Sequence, residues 1–123
     1  KPQFYFTSSM KVYIVTKMEH CDDYKCAETN YAVVKITQDK EKAYEFAHNE
    51  QLEYMCRNNH VANGKDNEEE THDLPTYSRD EKDKTWEVSY GKLIKLFNKI
   101  LDEPEFTTMA SQTRYSVEEH MVE

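Results

Sequence analysis

With 24 acidic against 16 basic side chains in 123 residues, a formal charge of -8, the chain has the length of one domain and the wrong sign for wrapping a phosphate backbone, which lysine and arginine must neutralise. Two glycines and three prolines leave no material for a glycine-rich phosphate loop, a collagen-like repeat or a flexible low-complexity linker. No apolar run approaches the about eighteen residues of a membrane-crossing helix, and the aromatic residues cluster in short runs that predict a thin core rich in tyrosine and phenylalanine.

Residues 11–17 read Lys-Val-Tyr-Ile-Val-Thr-Lys. Parity puts Val12, Ile14 and Thr16 on one face and Tyr13 and Val15 on the other, and a strand apolar on both faces is expected to be central. Residues 18–29 are polar and read as an acidic connection to a second strand over 30–36, antiparallel to the first. Thr37 is placed to cap a helix over 38–57, with Asp39 and Glu41 in its first turn, where carboxylates favour the positive end of the helix dipole. Ala43, Phe46, Ala47 and Tyr54 recur at helical spacing, and Leu52 and Met55 widen the stripe. The two alanines beside Phe46 predict close approach to the Val12, Ile14, Val34 and Ile36 sheet face, with the phenyl ring at the centre of the core.

Residues 58–76 contain Asn63-Gly64, an acidic run and Pro75, and read as an exposed acidic loop. Over 84–90, Trp86, Val88 and Tyr90 alternate with Thr85, Glu87 and Ser89, the pattern of a half-buried strand. Leu93, Ile94, Phe97, Ile100 and Leu101 then follow helical spacing until Pro104, and Tyr115 and Val117 suggest a last edge strand. The order β-β-α-β-α-β predicts a single α+β domain over 1–123, with a small antiparallel sheet and two helices on one face.

The stretches Lys-Val-Tyr-Ile-Val-Thr at 11–16, Tyr-Ala-Val-Val-Lys-Ile at 31–36 and Asp-Lys-Glu-Lys-Ala-Tyr-Glu-Phe-Ala at 39–47 carry a resemblance. Over about residues 10–54 the chain resembles a recurring N-terminal pattern in small uncharacterised proteins of bacteria, phages and large DNA viruses, grouped as domains of unknown function. The resemblance implies a compact β-β-α unit and brings no catalytic residue with it.

Chemistry-bearing residues fall into five groups. Cys21-x4-Cys26 and Cys56-x3-His60, with His20 as a spare, supply the thiolates and imidazole that zinc prefers. The first spacing is loose and no glycine or proline supports a knuckle turn, so the plainer reading is three reduced thiols, with no metal and no other cofactor. An odd cysteine count also points to a reducing, intracellular setting: the cytoplasm of a cell or infected host cell, or a virion. Glu19, Asp22 and Asp23 lack the alternation of a calcium loop.

The run Asp66, Glu68, Glu69, Glu70 and Asp73 is the candidate partner-binding surface, since clustered carboxylates imitate phosphates for a basic partner; otherwise it is a solvated loop. Lys92, Lys95 and Lys99 share one helix face, which ordinary amphipathicity explains. His20, His48, His60, His72 and His120 are scattered, and no serine or cysteine stands in a nucleophile motif, so no catalytic residue and no enzyme is expected. The sequence therefore suggests a non-enzymatic protein-interaction module, a viral or phage accessory or assembly component, with a protein partner and no direct contact to nucleic acid or membrane. The alternatives are an acidic, nucleic-acid-mimicking inhibitor of a nucleic-acid-binding protein and a small zinc-stabilised module.

Overall fold

The computed structural model describes residues 10–23, 26–64, 74–103 and 111–122. Strand β1 (Met10–Asp23) lies between β2 (Cys26–Thr37) and β5 (Ser111–Val122), antiparallel to both, in the sheet order β2-β1-β5. Helices α1 (Lys40–Arg57) and α2 (Trp86–Leu101) pack on one face of this sheet, and two short strands, β3 (Ala62–Asn63) and β4 (Thr76–Tyr77), form a separate parallel pair in the connection between them. The expected class is the observed one, α+β with a small antiparallel sheet.

Both helices begin where their first-turn chemistry dictates. Asp39, and not the expected Thr37, caps α1 by accepting from the Lys42 amide, because Thr37 still belongs to β2 and its hydroxyl accepts from the Asp39 amide; Thr85 caps α2 by accepting from the Val88 amide. Glu41, in the first turn of α1, also accepts from the Trp86 amide at 3.1 Å, so a carboxylate of one helix satisfies an orphan donor of the other. Lys40 pairs with Glu87 at 2.9 Å, the Tyr44 and Tyr90 rings meet edge to face, and Tyr54 meets Phe97 likewise. These contacts advance together along both helices, so α1 and α2 run parallel. Parallel neighbours need a long return crossing, and the connection holding β3 and β4 supplies it.

Two apolar clusters result. Tyr54, Met55, Val61, Leu93, Phe97 and Ile100 fill the space between the helices, and Tyr13, Val15, Ala43, Ala47 and Tyr115 fill the space between α1 and the sheet. Ala43 and Ala47 are fully buried and do let α1 sit close to the sheet, but against the opposite face from the one expected. Tyr13 and Val15 point inward and Val12 and Ile14 outward. A strand apolar on both faces leaves parity unable to choose. The choice falls to the neighbour, because β5 presents Tyr115 and Val117 in register with Lys17 and Val15. Phe46 is consequently only partly buried, at the edge of the second cluster under the Lys35 ammonium, and not at the centre of the core.

Three further boundaries differ from expectation. The connection over 18–29 is largely strand, because β1 continues between two partners as far as Cys21, which pairs with Glu28 on one side and Ser111 on the other. Backbone pairing on both edges carries a polar strand that hydrophobic periodicity cannot reveal. The 58–76 stretch is not exposed throughout: after the exposed Asn58 and Asn59, His60, Val61 and Ala62 are buried, and the Ala62 amide donates to the Pro75 carbonyl. Finally, 84–90 is no strand but the cap and first turn of α2, whose inward stripe Trp86, Tyr90, Leu93, Phe97 and Ile100 runs at helical spacing throughout.

Candidate functional site

Two features stand out, a polar cleft between the helices and the crossing connection, and the open side of the sheet. The cleft has a volume of about 340 Å³ and is lined by His48, Asn49, Leu52, Asn63, Arg79 and Trp86, among others. His48 lies on the buried face of α1 with 1% of its surface exposed. Burial holds its pKa below the ordinary histidine value, which keeps the ring neutral. Neutral His48 is satisfied on both sides: Nδ1–H donates to Asn49 Oδ1 at 2.9 Å and the Tyr77 hydroxyl donates to Nε2 at 2.7 Å. Burial pushes the Tyr77 hydroxyl up to about 12, so this donor keeps its proton.

Beside it, Ser89 Oγ donates to Asp83 Oδ2 at 2.9 Å and accepts from Arg79 Nε at 2.8 Å. Lys92 Nζ donates to Asp83 Oδ1, and this hydrogen bond is the main reason the Asp83 carboxyl is held below the usual carboxylate range. The Arg79 guanidinium lies 3.9 Å over the Trp86 ring, which meets His48 edge to face. Ser89, Asp83 and Tyr77 thus direct their side-chain oxygens at neighbouring groups of the network. Ser89 is fully buried, held between the Arg79 guanidinium and an Asp83 carboxylate that is itself paired with Lys92. The arrangement ties residues 79–83 to α2, while Tyr77 and Trp86 join it to His48 of α1, and it is built as a clamp.

The open side of the sheet has the opposite character. The register places Val12, Ile14, Thr16 and Met18 of β1 on the face away from the helices, beside Tyr31, Val33 and Ile36 of β2. Between Val15 and Thr16 the β1–β2 register shifts by one residue, so Val33 and Val34 both oppose Thr16. The bulge turns a polar alternation into a purely apolar outer row on β2: Tyr31 is 70% exposed, Val33 59%, Val34 38% and Ile36 62%. Met10 and Val122, paired with each other at the far end, extend the patch. Contiguous exposed apolar surface of this kind marks interaction sites in soluble domains.

The sites anticipated from the sequence are distributed as follows. Cys56 and His60 lie at the C-terminal end of α1, where His60 packs against the Tyr54 and Phe97 rings and burial lowers its pKa. Cys21 lies on β1 and the Cys26 side chain is outside the described residues. Among the described residues no three His, Cys, Asp or Glu side chains are grouped to hold a metal ion. The acidic run Asp66, Glu68, Glu69, Glu70 and Asp73 lies outside the described residues, as does His72. Lys92 is drawn into the clamp through Asp83, while Lys95 and Lys99 are exposed. His20 bonds Thr29 across the hairpin, and His120 meets Glu118 on β5.

Arg79, Asp83 and Ser89 went unrecognised in the sequence because their grouping requires α2 to begin at Trp86. Thr85 as a cap followed by a helical stripe from Trp86 was the available signal. In comparisons with known proteins, no family model, no curated protein and no solved structure matches the chain. Among the described residues no helix is long and apolar enough to cross a membrane.

Proposed function

We propose that this chain is a non-enzymatic protein-interaction module, a viral or phage accessory or assembly component, that engages a protein partner through the open face of its sheet. The observation that carries the reading is the apolar outer row of β2 continuing onto Val12 and Ile14 of β1, with both helices committed to the other face. The inward-turned clamp around Ser89 and His48 supports the non-enzymatic part, since its polar atoms are spent on one another.

The test is affinity capture from the native source with the chain and with the double variant Val12→Thr, Ile14→Thr, which keeps β-branched residues in a strand paired on both edges. A protein recovered by the chain and lost with the variant supports the reading, and a shell or scaffold protein in that position supports the assembly role. Equal recovery by both overturns it. Recovery of a nucleic-acid-binding protein that is displaced by DNA favours instead the acidic mimic.

A further inference from the structure

The two outer strands of the sheet differ in what lies along their free edges. On β5, the Gln51 side chain donates Nε2 to the Thr113 carbonyl at 3.1 Å and accepts the Tyr115 amide on Oε1 at 2.8 Å. The Tyr90 hydroxyl donates to the Tyr115 carbonyl. Three backbone groups that a further strand would need are thus taken by helix side chains. Along β2, among the described residues, no strand pairs with the far edge and no side chain caps it.

An open edge is a template for strand addition, and what may add to it is set by the side chains along it. Between Glu28 and Thr37 the only charged residues of β2 are Glu28 and Lys35. In the β1 register both lie on the inner face, Glu28 opposite Cys21 and Lys35 opposite Val15. Without the bulge, Glu28 and Lys35, seven positions apart, would point to opposite faces. Because Val34 is the extra residue, Glu28 and Lys35 are each three ladder positions from Tyr31, one on either side. A two-fold axis through Tyr31 perpendicular to the sheet therefore brings Glu28 of each copy opposite Lys35 of the other. The same axis pairs Thr29 with Val33 and Asn30 with Ala32, keeping every pair on one face as antiparallel pleating requires.

We infer that the chain pairs with a second copy of itself, β2 against β2, antiparallel and centred on Tyr31, to give one continuous six-stranded sheet. The charge pattern is what selects this partner and register. Centring the axis on Lys35 or on Glu28 would set like charges face to face, and a neutral foreign strand would leave Lys35 facing no acid. The pairing also sets the two open apolar faces side by side on the same side of the joined sheet. This inference goes beyond the interaction reading and does not depend on it.

Sedimentation equilibrium of the chain tests the pairing, with Lys35→Glu, Glu28→Lys and the double exchange Glu28→Lys, Lys35→Glu, each checked for an unchanged circular dichroism spectrum. A reversible dimer is expected. Either single reversal should weaken it about tenfold or more, and the double exchange should restore it to within about threefold of the original, because the opposed pairs are re-formed with the signs swapped. A chain that stays monomeric to about 500 µM, well into the range of weak interfaces, overturns the inference. So does a dimer that the single reversals leave unchanged. A monomer would leave the open face and its partner capture untouched, whereas loss of capture by Val12→Thr, Ile14→Thr with an intact dimer would leave the pairing standing.

Discussion

Strands β5 and β2 flank the same central strand, and each carries apolar residues, yet they end in different environments. β5 lies beneath the helices, its Tyr115 buried and its free edge occupied by Gln51 and Tyr90. β2 lies toward the edge, where Phe46 of α1 meets it with its ring under Lys35. Strand composition does not distinguish the two: β2 is the more apolar and the more exposed. Burial follows from which strand the helices cover, and closure of an edge follows from which side chains of those helices are long enough to replace a neighbouring strand.

The contrast can be broken most sharply in the cores on its two sides. Phe97→Ala, at the fully buried centre of the interhelical cluster, should cost about 3–5 kcal/mol in denaturant unfolding, whereas Phe46→Ala on the β2 side should cost about 1–2 kcal/mol. Equal costs would mean that the β2 side is as well packed as the β5 side. Next in size is the edge itself. Gln51→Leu keeps the volume but leaves the Tyr115 amide and the Thr113 carbonyl buried with no partner, a loss of about 2–4 kcal/mol. A change below about 1 kcal/mol would show that the cap on β5 is incidental.

Tyr90→Phe removes only the hydroxyl that serves the Tyr115 carbonyl, so a loss of about 1–2 kcal/mol is expected from the same melts. On the open side, Ile36→Thr should alter monomer stability by no more than about 0.5 kcal/mol, because the residue already faces solvent and the β-branch is kept.

At neutral pH the smallest contribution is that of titration, which grows only on acidification. Burial lowers the pKa of both His48 and His60 below the unfolded value of 6.5. Above that value both rings are neutral in either state. As pH falls below it, the unfolded chain takes up protons that the folded chain refuses, so stability declines until the folded pKa values are reached. Thermal midpoints between pH 7.5 and 5, a window above carboxylate titration, should fall steadily. His60→Phe, which keeps a ring between Tyr54 and Phe97, should flatten that decline; an unchanged slope would mean that His60 takes up its proton alike in the folded and unfolded states.

Much was readable from residue order alone. The α1 stripe with its paired alanines, the two-sided apolar character of β1 and the α+β class all rest on local chemistry, where a residue's role depends on neighbours a few positions away. The helical stripe of α2 was legible too, although the short alternation from Thr85 to Tyr90 fits a strand as well, and only contact with α1 decides between periods of 2 and 3.6. Tertiary structure alone decided which face of β1 turns inward, because Tyr13 with Val15 and Val12 with Ile14 are equally apolar. It alone brought Gln51 to β5, sixty-four residues before the Tyr115 amide that it accepts. And it alone placed a bulge at Val34, which sets Glu28 and Lys35 on one face of an open edge: a register is a relation between two strands, and no single strand contains it.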